Sequence, residues 1–225
     1  MKMAIIADVH SNLQALTSIV DSIQRERVDL TVCAGDVVGY GGNPNECAHT
    51  VAKAAKVAVM GNHDWAAVSK DTTGMNPYAA AAARWTSESA DAEAKEYLGS
   101  LKVVVSFQIA DSMVAMSHGS IGNYIEYVYE EDVDANLLES VHADLVILGH
   151  THIPYEKRVG KGMVVNPGSV GQPRDGDPRA SFAVYDSESR TCRIRRIDYD
   201  IEGAARAVTD SGLPRMLAER LFLGR

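Results

Sequence analysis

The sequence has few cysteines, no excess of basic residues and no long apolar run, and each shortage excludes a class of protein. Its three cysteines are Cys33, Cys47 and Cys192, and no two of them form a CxxC pair. This odd number at wide spacing argues against a disulfide framework and against a zinc site built from thiolates. Cys33 lies within an apolar run, where it is best explained as a small buried side chain.

Charge and hydropathy exclude two further classes. Lys and Arg together number 22 against 30 for Asp and Glu, which gives a formal net charge of -8 at pH 7. Nucleic-acid binding is not expected, because a protein that neutralises phosphates needs a basic face. A small phosphorylated substrate, for example a nucleotide, is compatible with this charge where metal ions supply positive charge locally. No window reaches the ~18 apolar residues of a membrane span, and the run 3–7 is too short for a signal-peptide core, so we expect a cytoplasmic protein.

Strand and helix patterns alternate along the chain, with no internal repeat and no linker rich in Ser, Gly or Pro. At 225 residues the chain fits a single α/β domain over 1–225, with a core over about 1–198 and a helical tail over 199–225. Apolar runs predict strands at 3–7, 30–34, 57–60, 102–108, 112–116, 144–148, 155–159, 163–165, 181–185 and 190–197. Helices are predicted after Ser11, with a capping box to Gln14, after Asn43, in two pieces over 76–98, over 132–141 and in two pieces over 201–223.

Short polar runs directly follow five of the predicted strands. They are Asp8-Val9-His10, Gly35-Asp36, Gly61-Asn62-His63-Asp64, Ser117-His118-Gly119 and Gly149-His150-Thr151-His152. A single residue, Val9, separates Asp8 from His10. In extended backbone both side chains would therefore leave from the same side of the chain, as a chelating pair requires. Oxygen and imidazole donors without a thiolate suit Mn²⁺, Fe, Zn²⁺, Co²⁺ or Ni²⁺ better than Mg²⁺ or Ca²⁺. We therefore predict that strand ends converge on two metal ions, whose commonest work is the hydrolysis of phosphate esters.

In this order the polar runs resemble the motifs of the calcineurin-like metallophosphoesterases, and the resemblance covers roughly residues 3–185. It implies an α/β fold in which two mixed β-sheets pack as a sandwich flanked by helices, a four-layer α/β/β/α arrangement. The implied reaction is hydrolysis of a phosphodiester or phosphomonoester by a hydroxide that bridges two divalent transition-metal ions, with Mn²⁺ favoured. The run Asn166-Pro167-Gly168-Ser169 is similar to a loop in bacterial relatives that carry phosphodiesterase or diadenosine-tetraphosphatase-like names.

The resemblance also implies a role for each residue of the runs. The first metal ion would be bound by Asp8, His10 and His152, and the second by Asn62, His118 and His150. Asp36 would bridge the two ions. His63 would not bind a metal ion. Oriented by Asp64, it would instead stabilise or protonate the leaving oxygen. Such assistance to a poor leaving group slightly favours a diester over a monoester.

Two residues outside the runs are candidates for substrate contact. Arg174 could clamp the substrate phosphate bidentately; alternatively, Arg174 and Arg179 pair with Asp175 or Asp177 and hold their loop. Tyr40 lies in a glycine-rich loop and could contact a base or ring of the substrate. That loop lacks the lysine of a phosphate-binding P-loop, so a nucleotide cradle of that kind is not expected.

Two functions other than catalysis fit the same motifs. One is a scaffold that keeps this fold for protein contacts, and the other is a regulator whose output is phosphate binding. The complete ligand set together with His63 favours the enzyme, because a scaffold needs neither. An apolar stripe in the tail, from Ile201 to Val208, predicts packing across the domain, with a partner surface as the alternative. The sequence does not predict an oligomeric state.

Overall fold

The computed structural model describes residues 1–225 and contains two five-stranded sheets. The first sheet consists of β1 (Lys2–Ile6), β2 (Leu30–Cys33), β3 (Val57–Ala58), β9 (Ala180–Asp186) and β10 (Thr191–Ile197). The second consists of β4 (Val104–Ile109), β5 (Ser112–Ser117), β6 (Leu145–Ile147), β7 (Tyr155–Val159) and β8 (Gly162–Asn166). The strand orders are β10-β9-β1-β2-β3 and β4-β5-β6-β8-β7.

Both sheets mix parallel and antiparallel pairs. In the first, β1 runs parallel to β2 and antiparallel to β9. In the second, β5, β6 and β8 run parallel, while β4 and β7 add antiparallel edges. The predicted antiparallel pair at 102–108 and 112–116 is therefore confirmed. The parallel strands are β1, β2 and β3 in the first sheet and β5, β6 and β8 in the second. Within each sheet their carboxyl ends lie at the same edge, and this brings the polar runs together.

The core lies between the sheets and under the helices because side chains alternate along each strand. Met3 and Ile5 of β1 pack in one buried cluster with Met116 and Ile147 of the opposite sheet. The intervening residues of β1 pack instead with the helices outside the first sheet. Leu138 packs on the outer face of the second sheet. The predicted sandwich of two mixed sheets with helices outside is confirmed.

Eight α-helices surround the sheets or close the chain. They are α1 (Leu13–Glu26), α2 (Pro44–Ala54), α3 (Asn62–Ser69), α4 (Pro77–Ser89), α5 (Ala92–Ser100), α6 (Ala135–Glu139), α7 (Ile201–Asp210) and α8 (Arg215–Glu219), with 3-10 turns at Glu130–Asp132 and Arg220–Leu223. None of these helices combines the length and the apolar character needed to cross a bilayer.

Two local predictions at helix starts are wrong. The cap of α1 is Asn12, whose Oδ1 accepts from the Ala15 N–H at 3.0 Å, and Ser11 has a left-handed φ of 53° that excludes the predicted capping box. The run from Gly61 was expected to form one tight turn, but it begins a helix, because α3 starts at Asn62. By contrast, the predicted break in 76–98 is confirmed, since α4 ends at Ser89 and α5 starts at Ala92.

The tail packs against the domain as predicted. Val208 of α7, Leu217 of α8 and Leu213 between these helices are buried in one apolar cluster with Tyr40 and Ala82. The tail therefore covers the loop that follows β2, beside the polar runs.

Candidate functional site

The five polar runs lie at the carboxyl ends of β1, β2, β3, β5 and β6, and the fold brings them into one buried cluster. Three groups of donor atoms lie within 4.8 Å of one another: Asp8 with His10 and His152, His10 with Asp36 and His63, and Asp36 with His118 and His150. Residues separated by more than a hundred positions in sequence thus meet at one edge of the sandwich. The structure brings together every charged or imidazole residue that the sequence suggested as a ligand.

The Asp36 carboxylate lies at the centre of this cluster. Its Oδ2 is 3.6 Å from His10 Nε2 and 3.2 Å from His118 Nε2. Asp8 Oδ1 is 3.3 Å from His152 Nε2 and 3.8 Å from His10 Nε2. One oxygen, Asp36 Oδ2, therefore lies close to a ring nitrogen of each of two histidines, His10 and His118.

The outer nitrogen of every imidazole in the cluster except that of His63 is held by a backbone carbonyl. The pairs are His10 Nδ1 with Val38 O at 3.1 Å, His118 Nδ1 with Ala34 O at 2.8 Å, His152 Nδ1 with Gln172 O at 2.5 Å, and His150 Nε2 with Ile125 O at 3.1 Å. Because a carbonyl only accepts, each of these ring nitrogens carries the proton and donates. In the neutral form of each ring the other nitrogen points a lone pair into the cluster, which is the arrangement that metal-binding histidines adopt.

Two buried oxygens in the cluster have no hydrogen-bond partner. They are Asp8 Oδ1 and Asn62 Oδ1. The second oxygen of Asp8 accepts from the His150 N–H at 3.1 Å, and Asp36 Oδ1 accepts from the His63 N–H at 2.8 Å. Unsatisfied buried oxygens are costly, so the donor set fits a group that supplies positive charge at these atoms.

The electrostatics of the cluster also favour a cation. Burial raises the pKa of Asp8 to about 7. Burial would raise the pKa of Asp36 as well, but the charges of His118, His63 and His10 and the hydrogen bond from His118 together outweigh burial and hold that pKa well below its ordinary value. Burial would lower the pKa of His118, yet the Asp36 carboxylate raises it to about 9. Burial lowers the pKa of His63 to about 4 and that of His150 to about 3, so these rings are neutral at pH 7.

The backbone at the ligands is left-handed, which the sequence did not predict. Positive φ angles occur at Asp8 (53°), His10 (49°), Asp36 (51°), His150 (67°) and His152 (60°). The expectation of extended backbone between Asp8 and His10 is therefore wrong, although the two side chains do meet. Each such conformation costs of order 1–2 kcal/mol in a residue other than glycine. The surrounding hydrogen bonds hold these strained turns, a pattern typical of functional sites.

Close packing requires glycine at two places around the cluster. A Cβ at Gly61 would lie 2.0 Å from Asp36 Oδ1. Gly39 has a φ of +94°, and a Cβ there would lie 2.4 Å from His63 Nδ1. Both glycines therefore let the backbone approach the cluster more closely than any other residue would.

Asp64 supports the backbone near His63 and not its ring. Its Oδ1 accepts from the Val38 N–H at 3.1 Å and its Oδ2 from the Gly61 N–H at 3.0 Å. The His63 ring packs instead at 4.4 Å from Tyr40, between ring centroids, and its buried Nδ1 has no hydrogen-bond partner. Asp64 thus fixes the start of α3, and through it the position of His63.

The run from Asn166 to Ser169 braces two turns of the cluster. Asn166 Nδ2 donates to the Gly149 carbonyl at 2.7 Å and to Thr151 Oγ1 at 3.0 Å. Ser169 Oγ donates to the Asp8 carbonyl at 2.7 Å. The run therefore positions the backbone of Asp8 and of the turn that carries His150, a role that its sequence alone did not reveal.

Arg174 faces the cluster without a carboxylate partner. Its Nη2 donates to Gln172 Oε1 at 2.9 Å, and its buried Nε has no partner. The acids of its loop pair elsewhere, Asp177 with Arg179 at 2.7 Å and Asp175 with Arg196. The alternative of a loop-holding ion pair therefore describes Arg179 and does not describe Arg174.

The tail contributes a second arginine that sequence reasoning missed. The guanidinium carbons of Arg174 and Arg220 each lie 5.8 Å from the centroid of the Tyr40 ring, within cation–π range. Burial and the charge of Arg174 lower the pKa of Arg220. Tyr40 itself is 6% exposed, and its ring lies 4.7 Å from that of His10. No motif marks the tail, so only the packing reveals this contact.

A cavity of about 350 Å³ opens above the cluster. Its floor includes Asp36, Asn62, His63, His150 and His152, and Tyr40 and Arg174 also line it. Both candidate substrate contacts and these five residues of the polar runs therefore border one space.

Comparison with known proteins decides the family. Residues 1–190 match the sequence model of the calcineurin-like phosphoesterase superfamily domain. The chain belongs to this superfamily. The resemblance seen in the polar runs is thereby confirmed, and so is the fold that it implied.

Three relatives match between 84% and 100% of this chain. A metallophosphoesterase from Sphaerobacter thermophilus is 34% identical, with a TM-score of 0.86 over 100% of this chain and 99% of that one. The uncharacterized protein MJ0912 of Methanocaldococcus jannaschii is 35% identical over 99% of this chain and 98% of its own. The phosphodiesterase YfcE of Escherichia coli K12 is 24% identical over 84% of this chain and 89% of its own. Together with the cluster, these findings support a metal-dependent phosphoesterase.

Proposed function

We propose that this calcineurin-like phosphoesterase uses two divalent transition-metal ions to hydrolyse a phosphodiester or a phosphomonoester. The observation that carries the proposal is the buried donor set, in which carbonyls fix the outer ring nitrogens and Asp8 Oδ1 and Asn62 Oδ1 lack partners. We assign one ion to Asp8, His10 and His152, and the other to Asn62, His118 and His150. Asp36 joins the two halves through Oδ2.

The charge balance of this donor set suits an anionic substrate. Two divalent ions, when bound, supply four positive charges and lower the pKa of a bound water well below its bulk value of about 15.7. Asp8 and Asp36 return two negative charges, while Asn62 and the imidazoles are neutral donors. A phosphoryl group is therefore attracted to the floor of the cavity. Oxygen and imidazole donors suit Mn²⁺, Fe, Zn²⁺, Co²⁺ or Ni²⁺, and among these we propose Mn²⁺ from the resemblance to the family.

His63 is proposed to assist the leaving group. Its ring lines the cavity and is buried beside Tyr40. The N–H of the neutral ring can stabilise a departing oxygen by a hydrogen bond, and the protonated ring can protonate that oxygen. Such help matters most for a poor leaving group, which gives the diester a slight preference over the monoester.

Removal of metal is expected to abolish hydrolysis and to lower thermal stability. Bis-p-nitrophenyl phosphate and p-nitrophenyl phosphate would be assayed with the purified protein as isolated, after chelation, and after reloading with Mn²⁺, Zn²⁺ or Ni²⁺. At 100 times the Kd, a single bound ion stabilises the fold by about 2.7 kcal/mol, which raises Tm by roughly 5–10 °C in a chain of this size. The faster substrate identifies the ester class.

The same assay separates the enzyme from the scaffold and the phosphate-binding regulator. Turnover that disappears with the chelator and returns with metal supports the phosphoesterase. A protein that binds two ions and turns over neither ester would favour the scaffold. Tight binding of inorganic phosphate without turnover of either ester would favour the regulator.

Replacing Arg174 by Gln is expected to raise KM for both esters by roughly ten- to a hundredfold. The estimate corresponds to the loss of a hydrogen bond to a charged group, worth about 1.5–3 kcal/mol. Arg179→Gln is the matched control, since Arg179 lies in the same loop but pairs with Asp177. Equal KM changes in the two variants would refute a substrate contact for Arg174.

A further inference from the structure

The cavity has aromatic and apolar walls to which the metal-binding proposal gives no role. Trp65 and Met75 line it from α3 and the loop that follows, and Tyr124, Ile125 and Tyr127 line it from the loop after β5. Trp65 is 45% exposed, Tyr127 47% and Ile125 52%. Large apolar side chains that stay exposed in a cavity beside a polar cluster are typical of a binding site for an organic group.

The wall formed by the loop after β5 is joined directly to the cluster. The Tyr127 ring stacks on His150, with centroids 4.0 Å apart and planes inclined by 26°. His150 Nε2 is also bonded to the Ile125 carbonyl at 3.1 Å. An organic group attached to a phosphoryl group at the cluster would therefore lie against this wall.

Hydrogen bonds within the loop hold this wall in place. Ser117 Oγ donates to the Ser120 carbonyl at 3.2 Å, and Ser120 Oγ donates to Glu126 Oε2 at 2.5 Å. A Cβ at Gly119 would lie 2.6 Å from the Tyr124 carbonyl oxygen, so the loop folds closely over this glycine. The aromatic wall is thus preformed, which lowers the entropy cost of binding a ring.

The charges around the cavity limit the number of phosphoryl groups. Arg174 is the one arginine among its lining residues, and no lysine lines it. Asp71 also lines the cavity, is exposed, and has its pKa lowered by hydrogen bonds with Thr73, so it adds a negative charge there. A polyphosphate chain would bring several negative charges past this carboxylate with no lysine to receive them. One phosphoryl group with an uncharged planar substituent fits the cavity better.

We propose, on the basis of the phosphoesterase function above, that the substrate carries one phosphoryl group joined to a nucleoside-sized part with a planar ring. The ring binds against Trp65 and Tyr127 while the phosphoryl group lies at the cluster. Stacking on aromatic side chains accepts any base, because every base has a π-face. This assigns substrate selection to the walls and leaves the chemistry to the cluster.

The test measures binding separately from turnover. The Kd values of adenosine 5′-monophosphate and ribose 5-phosphate, which differ by the base, would be measured by calorimetry on Mn²⁺-loaded protein that carries His63→Ala, because the wild type would hydrolyse monoesters during the titration. We expect the nucleotide to bind at least about tenfold more tightly, the effect of stacking one base. Trp65→Ala and Tyr127→Ala should each weaken nucleotide binding by about fivefold or more and leave ribose 5-phosphate unchanged. Tyr127→Phe should keep the preference, because the ring remains.

The control variant is Met113→Ala. Met113 is 40% exposed at the far end of β5, away from the cluster, and its replacement should leave both Kd values unchanged. Adenosine 5′-diphosphate should bind no more tightly than the monophosphate.

Each contrary result has a distinct meaning. Equal binding of the two monophosphates would refute binding of the base by the aromatic walls. The same conclusion would follow if both alanine variants kept the full preference for the nucleotide. Tenfold tighter binding of the diphosphate would overturn the limit to one phosphoryl group. Turnover of bis-p-nitrophenyl phosphate, measured on Mn²⁺-loaded protein that keeps His63, shows whether the proposed function fails independently of this inference.

Discussion

Asp36→Asn is expected to lower metal content and kcat/KM together, with kcat/KM falling by more than about a hundredfold. Replacing a residue that only supports a metal ligand typically costs 10–100-fold, so loss of a shared ligand should cost more. Asn keeps the shape of Asp and can still accept the 2.8 Å hydrogen bond from the His63 N–H. What it removes is the negative charge of Oδ2, which faces His10 and His118.

The measurement is elemental analysis of the purified variant beside its rate on bis-p-nitrophenyl phosphate. Asp111→Asn is the matched control, because Asp111 is exposed in the turn between β4 and β5. Wild-type occupancy by two ions in Asp36→Asn would contradict the bridging role. An unfolded variant is recognised by its circular dichroism and replaced by Asp36→Glu, for which reduced metal content is likewise expected.

His63→Ala is expected to keep both ions and to lower kcat by roughly 10²–10⁴-fold, the usual contribution of a general acid. The loss should be larger for phenyl esters than for p-nitrophenyl esters, because phenol is the poorer leaving group. Rates across a series of substituted phenyl esters, with metal content on the same samples, measure both effects. His142→Ala serves as control, since His142 is exposed and lies outside the cluster.

This variant also decides between two uses of the His63 ring. Its ring nitrogen lies within 4.8 Å of donor atoms of His10 and Asp36, close enough for a ligand. Loss of an ion from His63→Ala would make His63 a ligand and would contradict its assignment to the leaving group. Retention of both ions with a uniform loss across the ester series would also contradict that assignment.

The assembly of the cluster could be predicted because it depends on topology. A polar run that directly follows a buried strand must lie at that strand's carboxyl end, and parallel strands in each sheet place these ends on the same side. Asp8, Asp36 and His150 therefore meet, as predicted, even though the extended backbone predicted between Asp8 and His10 was wrong. The prediction needed only the strands and their order.

Local geometry could not be predicted because it depends on contacts distant in sequence. The left-handed turns at Asp8 and His10 are held because the Asp8 N–H donates to Gly35 O and the His10 N–H donates to Asp36 O, at 3.0 Å each, and no residue in the run itself signals these bonds. Asn12 replaces Ser11 as the cap of α1 for the same reason, since Ser11 bonds to Val37 O at 3.1 Å.

Residues that border the cavity without a motif were equally hidden. Arg220 reaches Tyr40 only because the tail packs over the loop after β2. Tyr127 reaches His150 only because its loop folds back over Gly119. Both contacts join side chains from separate elements, so periodicity and spacing along the chain carry no sign of them.

The most direct test of the central claim is anomalous diffraction from crystals of the Mn²⁺-loaded protein, recorded on both sides of the manganese edge. We predict two manganese peaks per chain, one bound by Asp8, His10 and His152 and one by Asn62, His118 and His150, with Asp36 bound to both. A single peak, or two peaks that do not share Asp36, would contradict the dinuclear assignment.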